Sequence, residues 1–397
     1  MPRFLKLLVL RYLPPLAKMA FRAKRLKEDK AYWSTFAASK EVRGGGTKEA
    51  RQPRLLIVLP RDYNLDTPFV PAAGNYNYEI ARSAEERYGT VATEVYFPSQ
   101  KTDWITECRK IVEKVEKAQI THFLFYIESL EVQSSLWRWD ILAAELARIG
   151  SEATAIGFLT DGTYELHQVQ CSRFHDLYPK SLFVQIDVVP GTKYLPHERI
   201  VGPTFLPISL ESISHLKEYL SKSQGREVYE LSFIGKMYGY RKKIVRKLVA
   251  RGLEIRINPH CELGSGIKAT YPEYMSALSR SKYTINFSRA NGTRQKQLKS
   301  RVLESLLVGS IPITDDNDLS RRYIPERAPV ITFNHLNQIQ SLKREFEIGL
   351  ANSSLWFKDY QIGLDEINRF ASSCFWETLE EGLCNGNLPM LVPKPTP

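Results

Sequence analysis

The sequence predicts an α/β protein built from two doubly wound domains in tandem. Short apolar runs that are typical of buried strands alternate with helical patterns along most of the chain. Strands buried on both faces between crossover helices indicate a mostly parallel sheet. A second series of the same kind begins near residue 228. We therefore expect two domains facing each other across a cleft, since such folds bind ligands beyond the carboxyl ends of their strands.

The first series contains four apolar runs that we interpret as strands: RLLIVLP (54–60), THFLFYI (121–127), ATAIGFL (153–159) and SLFVQID (181–187). Helical spacing of apolar residues predicts helices near 77–88 and over 134–150, the second ended by Gly150. This alternation is the βαβ pattern of a parallel sheet.

The second series repeats the pattern with different residues. We expect strands at 228–235, 253–257, 282–288 and 311–314, and helices at 240–252, 271–281 and 298–308. The charged stretch 211–227 separates the two series and is predicted to hold the connection. A further helical pattern covers 356–381.

These elements predict four segments: a basic N-terminal segment with a glycine-rich linker (1–53), an N-terminal α/β domain (54–210), a C-terminal α/β domain (211–347) and C-terminal helices with a proline-rich tail (348–397). The apolar fraction of 43% and the charged fraction of 25% are ordinary for a globular protein.

The net charge of +11 is concentrated at the N-terminus. Residues 1–54 hold fourteen Lys and Arg against four Asp and Glu, so nearly all of the excess lies there. A nucleic-acid binder more often carries its cations through the folded domain, and we expect no nucleic-acid partner. Residues 1–30 are predicted to be either a basic tail or packed helix, or an interfacial helix on anionic lipid. Their apolar run is too short to span a bilayer.

The five cysteines are scattered and lack CxxC spacing, which favours a reducing, cytoplasmic compartment. His167, Cys171 and His175 would share one face of a helix and could hold zinc. Such one-turn spacing arises easily by chance, and we expect neither a metal nor another cofactor.

The richest stretch is QKQLKSRVLESLLVGSIPITDDND (295–318). On a helical wheel, an apolar side formed by Val302, Leu303, Leu306 and Leu307 is expected to pack on the sheet. Arg301 and Glu304 are neighbours on the other side. In the simplest interpretation they form an exposed ion pair that contributes a few tenths of a kcal/mol.

The preceding loop favours a binding function instead. It carries Arg289, Arg294, Lys296 and Lys299 without an acid, between a strand and a helix N-terminus. Free N–H groups and the helix dipole favour an anion there, and arginine suits a diphosphate. A carboxylate one turn deeper can accept hydrogen bonds from two vicinal hydroxyls. The pattern therefore predicts a nucleoside diphosphate with its ribose near Glu304.

A second loop, FIGKMYGYRKK, also leaves a strand and enters a helix. Gly235 permits close backbone approach, and Lys236 and Arg241 could reach the same phosphates. The loop matches neither a P-loop nor a GxGxxG fingerprint.

The strand ending in NFS, the Q-x-K-x-R-x-x-E helix and the glycine before an apolar strand resemble the C-terminal domain of GT-B glycosyltransferases. Within that fold they are most similar to the CgeB-like group of "glycosyl transferase family 1" proteins. The matched positions are Gln297, Lys299, Arg301, Glu304 and Gly309, and the resemblance covers roughly 228–345.

The resemblance implies two Rossmann-like domains, with a nucleotide-sugar on the second and the acceptor on the first. It implies donor binding by Gly235, Lys236, Arg241, Arg294, Lys299, Arg301 and Glu304, with Glu304 on the ribose. It also implies a last helical segment that crosses back to the first domain, and no required metal. Retaining members often carry a glutamate where this chain has Lys296, which leaves retention or inversion undecided.

A base on the first domain would deprotonate the acceptor if the enzyme inverts. Candidates near predicted strand ends are Asp62, Asp161 and His167. The D-x-D sequence at Asp316 and Asp318 could instead bind a divalent metal, but we favour turn chemistry for it.

The sequence thus predicts a hexosyl-type glycosyltransferase that uses a nucleotide-sugar and a glycan or glycolipid acceptor in polysaccharide biosynthesis. We expect it in the cytoplasm, peripheral to the inner membrane face. A non-catalytic sugar- or nucleotide-binding protein is the alternative, and a nucleic-acid binder acting through the basic N-terminus is a weaker one.

Overall fold

The computed structural model describes residues 32–33, 53–59, 76–98, 103–127, 139–160, 165–186, 195–221, 229–235, 239–250, 252–257, 271–288, 297–314, 322–332 and 364–393.

The first sheet has six parallel strands in the order β2-β1-β3-β4-β5-β6. The strands are β1 Leu55–Val58, β2 Thr93–Tyr96, β3 His122–Tyr126, β4 Thr154–Leu159, β5 Ser181–Gln185 and β6 Ile200–Val201. The helices between them are α1 Tyr76–Tyr88, α2 Trp104–Lys117, α3 Trp139–Arg148 and α4 Glu165–Leu177.

The central strands are buried on both faces because alternate residues enter different cores. On β1, Leu56 and Val58 pack with residues of α2 and α3. Leu55 and Ile57 pack with α1 and with the last helix of the chain. This two-sided burial explains why the strand sequence is a continuous apolar run rather than an alternation.

The second sheet has five parallel strands in the order β11-β10-β9-β7-β8. They are β7 Tyr229–Phe233, β8 Arg256–Ile257, β9 Ser281–Asn286, β10 Ile311–Thr314 and β11 Ile331–Thr332. The described helices of this half are α5 Leu210–Ser221, α6 Gly239–Ala250, α7 Tyr271–Ser279 and α8 Ser300–Leu307, followed by the long α9 Leu364–Asn385.

Both sheets use the same strand order, in which the second strand lies on one side of the first and the later strands on the other. The order reverses between β1 and β3 in the first sheet and between β7 and β9 in the second. The predicted fold class, two doubly wound α/β domains in tandem, is confirmed. Such reversals create crevices at the carboxyl ends of strands.

One orientation predicted from the sequence is wrong. The apolar stripe of α8, including Val302 and Leu306, does not pack on the strands. It joins a core with Phe205, Ile208 and the first half of α9. The opposite side of α8 faces the sheet, where Ser305 Oγ lies 2.8 Å from Thr284 Oγ1 of β9. The helix is covered on both sides, and the wheel alone could not tell which cover was the sheet.

Helix α9 contacts both halves of the molecule. Its first half, including Ala371 and Cys374, shares the core with α8. Its second half enters the core of the first sheet, where a Cβ on Gly382 would lie 2.4 Å from Val201 Cγ1. Glu380 receives two hydrogen bonds from Arg87 of α1, at 2.8 and 2.7 Å. The prediction of a helix over 356–381 holds for its described part, which starts at 364.

The stretch 211–227, predicted as a connection, begins as helix α5. Two carboxylates of α1 cap it: Glu79 accepts from Ser209 N and Ser212 Oγ, both at 2.7 Å. Glu86 accepts from the backbone N–H groups of Leu210 and Glu211 at 2.8 and 2.9 Å. Negative charge at a helix N-terminus satisfies N–H groups that lack helical partners. The domain boundaries themselves stay a prediction.

The N-terminal segment is described only at two residues. Tyr32 is 6% exposed, and its hydroxyl donates to Glu145 of α3 at 3.1 Å. The remaining residues of 1–52 lie outside the described ranges, so their membrane role stays a prediction. Among the helices that the structure describes, none combines the length and apolarity that a bilayer-spanning segment requires.

The buried Glu79 predicts a pH-dependent stability. Burial raises its pKa from 4.5 to about 7, against the opposing hydrogen bonds from Ser209 and Ser212. Between these values the folded chain holds a proton that the unfolded chain has lost. This contribution to the free energy of unfolding therefore falls as pH rises, by at most about 1.4 kcal/mol per pH unit.

Glu79→Gln cannot titrate. We expect wild-type stability to drop relative to this variant by roughly 1 to 3 kcal/mol between pH 5 and pH 8. Urea unfolding at several pH values measures the difference, and parallel profiles would contradict it.

Candidate functional site

The candidate site lies at the strand-order reversal of the second sheet. Gly235 follows β7, and Ser288, Gln297 and α8 follow β9, so these residues meet at the carboxyl ends of the two strands. This is the position at which doubly wound sheets bind ligands.

Arg301 rests directly on the backbone at the end of β7. A Cβ placed on Gly235 would lie 2.7 Å from Arg301 Nη2 and 2.9 Å from Nη1. Gly235 also has φ +151°, a conformation that side chains rarely adopt. The missing side chain therefore makes the space that the guanidinium occupies.

A tyrosine joins the arginine to the glutamate. The Tyr274 hydroxyl donates to Glu304 Oε2 at 2.6 Å and accepts from Arg301 Nε at 3.2 Å. Glu304 is only 5% exposed. Burial, followed by the adjacent carboxylate, raises the pKa of the Tyr274 hydroxyl well above its usual value. The hydroxyl therefore keeps its proton and holds both charged groups in fixed positions.

The N-terminus of α8 opens beside this group. Lys299 occupies the N-cap position without a side-chain cap, which leaves backbone N–H groups of the first turn to other acceptors. The Lys299 ammonium donates to the side-chain amide oxygen Oε1 of Gln297. A cation and a helix N-terminus therefore stand together, as anion sites require.

Gln297 connects the candidate site to the first domain. Its amide Nε2 donates to the carbonyl of Thr160, just beyond β4, at 2.9 Å. Its backbone N–H donates to Ser288 at 2.9 Å, and the N–H of Leu298 donates to Ile186, just beyond β5, at 3.0 Å. The carboxyl edges of the two sheets therefore meet at this loop.

The structure brings together Gly235, Arg301 and Glu304, the last two joined by Tyr274. Lys299 lies at the N-cap of α8, the helix that carries Arg301 and Glu304. Arg241 lies in the first turn of α6 and is 6% exposed. His167 lies in the first turn of α4 and is 9% exposed. The other predicted site residues, Asp62, Asp161, Lys236 and Arg294, lie outside the described ranges, as does the D-x-D pair Asp316 and Asp318.

Tyr274, Gln297 and Thr160 are functional candidates to which the sequence patterns give no role. Tyr274 precedes Glu304 by thirty positions and belongs to another helix, so no spacing rule connects them. Gln297 was part of the matched pattern, and that pattern was its only signal. Thr160 takes part through its backbone, which no side-chain pattern can reveal.

The chemistry of the described groups favours an anion next to hydroxyls. Arg301, Lys299 and the start of α8 supply positive charge, and Glu304 supplies a buried acceptor. Within the described ranges, no three His, Cys, Asp or Glu side chains are grouped as metal ligands would be. For the predicted zinc alternative, Cys171 is buried and His175 Nδ1 lies 2.9 Å from Ser181 Oγ.

No protein-family model matches this sequence, and no curated protein matches it either. Among solved structures, the chain is similar to a glycosyltransferase from Rickettsia africae, with 9% identity, a TM-score of 0.48 and coverage of 85% of this chain and 99% of that one. It is similar to an α1,3-fucosyltransferase, with 10% identity, a TM-score of 0.44 and coverage of 84% and 93%. It is also similar to HepE from Anabaena in complex with UDP-glucose, with 11% identity, a TM-score of 0.44 and coverage of 82% and 99%. The fold assignment itself depends on the strand order and register of this chain.

Gly235→Ala should displace the Arg301 guanidinium. We expect a loss of roughly 1 to 3 kcal/mol in stability from the strained backbone, together with weaker binding of pyrophosphate. Thermal unfolding across a pyrophosphate titration measures both effects.

Gly239→Ala is the matched control. Gly239 also has a positive φ, of +51°, but a Cβ there would meet nothing within 4 Å. We expect a backbone cost without the loss of pyrophosphate binding. Equal loss of binding in both variants would contradict the placement of Arg301.

Proposed function

We propose that this chain is a glycosyltransferase of the GT-B type that moves a hexosyl group from a nucleoside diphosphate to a glycan or glycolipid acceptor. The observation that carries the proposal is the Arg301–Tyr274–Glu304 group at the strand-order reversal beside the N-terminus of α8. A guanidinium and a helix terminus suit a diphosphate, and a buried carboxylate suits the two hydroxyls of a ribose.

The proposal gives each donor-side residue a role. Arg301, Lys299 and the first turn of α8 hold the diphosphate, assisted by Lys236, Arg241 and Arg294. Glu304 accepts hydrogen bonds from the ribose, and Gly235 lets the phosphates and Arg301 approach the backbone. Tyr274 is a positioning residue, because it fixes Arg301 and Glu304 relative to each other.

In the reaction, an acceptor hydroxyl oxygen forms a bond to the anomeric carbon, and the bond from that carbon to the diphosphate oxygen breaks. The cations stabilise the negative charge on the departing diphosphate, so that the reaction requires no metal. For an inverting enzyme, Asp161, Asp62 or His167 takes the acceptor proton. Asp161 directly follows Thr160 in sequence, and the backbone carbonyl of Thr160 accepts a hydrogen bond from Gln297 Nε2.

The acceptor side of the proposal rests on the N-terminal charge. Residues 1–30 would hold the enzyme at an anionic membrane surface on the cytoplasmic side, where lipid-linked acceptors of polysaccharide biosynthesis are presented. The CgeB-like group is the proposed subgroup, on the sequence pattern from Gln297 to Gly309.

A non-catalytic nucleotide- or sugar-binding protein is the second candidate. It rests on the fold, which does not by itself fix an activity. Donor hydrolysis and sugar transfer separate the two candidates, because a binding protein would bind the donor without either activity.

A panel of nucleoside diphosphates tests the site. We expect at least one to raise the melting temperature by a few degrees in a saturable way, because a ligand at one hundred times its Kd stabilises by about 2.7 kcal/mol. The rise should persist in EDTA. Glu304→Ala should weaken binding at least tenfold, since hydrogen bonds to a charged acceptor contribute about 1.5 to 3 kcal/mol each.

Glu145→Ala is the matched control for this loss. Glu145 is also a buried carboxylate that accepts from a tyrosine hydroxyl and an arginine, Tyr32 and Arg148. It lies near the C-terminal end of α3, at the opposite edge of its sheet from the candidate site. Glu145→Ala should lower stability but keep nucleotide binding, and Glu304→Gln provides a milder variant if Glu304→Ala does not fold. A flat response to every nucleotide would overturn the proposal.

A further inference from the structure

The outer face of α6 is a continuous cationic surface that the proposed site does not use. Its cations Lys242, Lys243, Arg246 and Lys247 are all exposed, while Val245 and Leu248 are buried in the core of the second sheet. At 100° per residue, the four cations fall within one side of the helix. We call this side, formed by Lys242, Lys243, Arg246, Lys247 and the exposed Val249, the α6 face.

Among the residues that the structure describes, no acid forms an ion pair with any of these four cations. Helix α2 provides the contrast: it also carries several lysines, but Lys110, Lys114 and Lys117 pair with Glu107, Glu94 and Glu113. The charge of α2 is therefore balanced within the fold, whereas the charge of the α6 face is directed to solvent.

This arrangement works against the stability of the helix. Lys242 with Arg246, and Lys243 with Lys247, are like-charged pairs one turn apart, and such pairs destabilise a helix. Between 239 and 257, the only acid in the described residues is the exposed Glu254. Arg256 on the neighbouring edge strand β8 adds another exposed cation. Its Cζ lies over the Tyr229 ring, 5.1 Å from the ring centroid. An external anionic surface would relieve the repulsion.

The face also carries an apolar group among its cations. Val249 is 48% exposed, one of few large apolar side chains in the described residues with so much exposure. A helix with lysines and arginines around an exposed aliphatic residue suits a lipid interface, where cations meet headgroups and the apolar group enters the boundary. A nucleic-acid surface would give Val249 no apolar environment.

We propose that the α6 face docks on an anionic lipid surface, as a second contact in addition to the N-terminal segment. The N-terminus of α6 begins at Gly239, four residues after Gly235 of the candidate site. Docking through α6 would bring the carboxyl edge of the second sheet close to lipid headgroups. Granted the proposed function, the acceptor would then be a lipid-linked sugar presented at that surface.

Vesicle co-sedimentation of the full chain tests the docking. The vesicles contain phosphatidylcholine alone or with phosphatidylglycerol. The α6 variant replaces four residues by glutamine: Lys242, Lys243, Arg246 and Lys247. The control variant removes four exposed cations elsewhere: Arg109, Lys117, Arg173 and Lys217. Both variants are also made in a second background, so that binding through the N-terminal segment cannot mask the effect of α6. In that background glutamine replaces five N-terminal cations: Lys18, Arg22, Lys24, Arg25 and Lys27.

We expect the α6 variant to lose at least tenfold in binding to anionic vesicles in one or both backgrounds, with the control near its parent and no binding to neutral vesicles. Equal losses in the α6 and control variants would reduce the effect to net charge and overturn the proposal, as would binding unchanged in both backgrounds. Tighter binding to duplex DNA than to vesicles, lost in the same variant, would assign the face to nucleic acid instead.

The nucleotide response keeps this test separate from the proposed function. The α6 variant should melt within a degree or two of wild type, because its substitutions are exposed. It should keep any stabilisation by nucleoside diphosphate, since none of its residues belongs to the candidate site. If no nucleotide stabilises the wild type, the proposed function fails while the vesicle result still decides the docking.

Discussion

The candidate site depends on how α8 is clamped. Its apolar stripe is taken up by α9 and by the segment that follows the first sheet. That packing turns the polar stripe, with Arg301, Glu304 and Ser305, toward the second sheet and α7. A charged stripe facing inward is costly to bury without partners. It is tolerated here because each polar side chain has a partner. Tyr274 bonds to Arg301 and Glu304, Thr284 lies beside Ser305, and Arg301 rests on the backbone at Gly235.

The same clamp makes the site a property of the whole molecule rather than of one domain. The first half of α9 packs in the same core as α8, and its second half packs in the core of the first sheet. Gln297 and Leu298 add backbone contacts to the carboxyl ends of β4 and β5. Displacement of either sheet would therefore reach Arg301 through α8, which couples the two sheets at the candidate site.

The strand sequences predicted the fold because two-sided burial leaves a direct record in the chain. The fully buried runs LLIV and IPIT form β1 and β10 as expected. Strand β2, TEVY, was missed because it is an edge strand with three half-exposed residues. The motif around Arg301 and Glu304 could be found from its charges, because the loop before α8 carries several cations and no acid. Tyr274 was not, because its role depends on a contact between separate helices.

Capping of α5 shows how a carboxylate buried at a domain junction can be stable. Glu79 and Glu86 of α1 occupy the N-terminus of α5, whose other end packs beside α7 and Tyr274. Each carboxylate loses water but gains N–H donors and the positive end of a helix dipole. For Glu79 the cost of losing water exceeds the gain from the hydrogen bonds, as the raised pKa of its carboxyl group indicates. The junction is therefore held by a group whose charge changes near neutral pH, whereas Arg301, Tyr274 and Glu304 are held by a hydroxyl that keeps its proton.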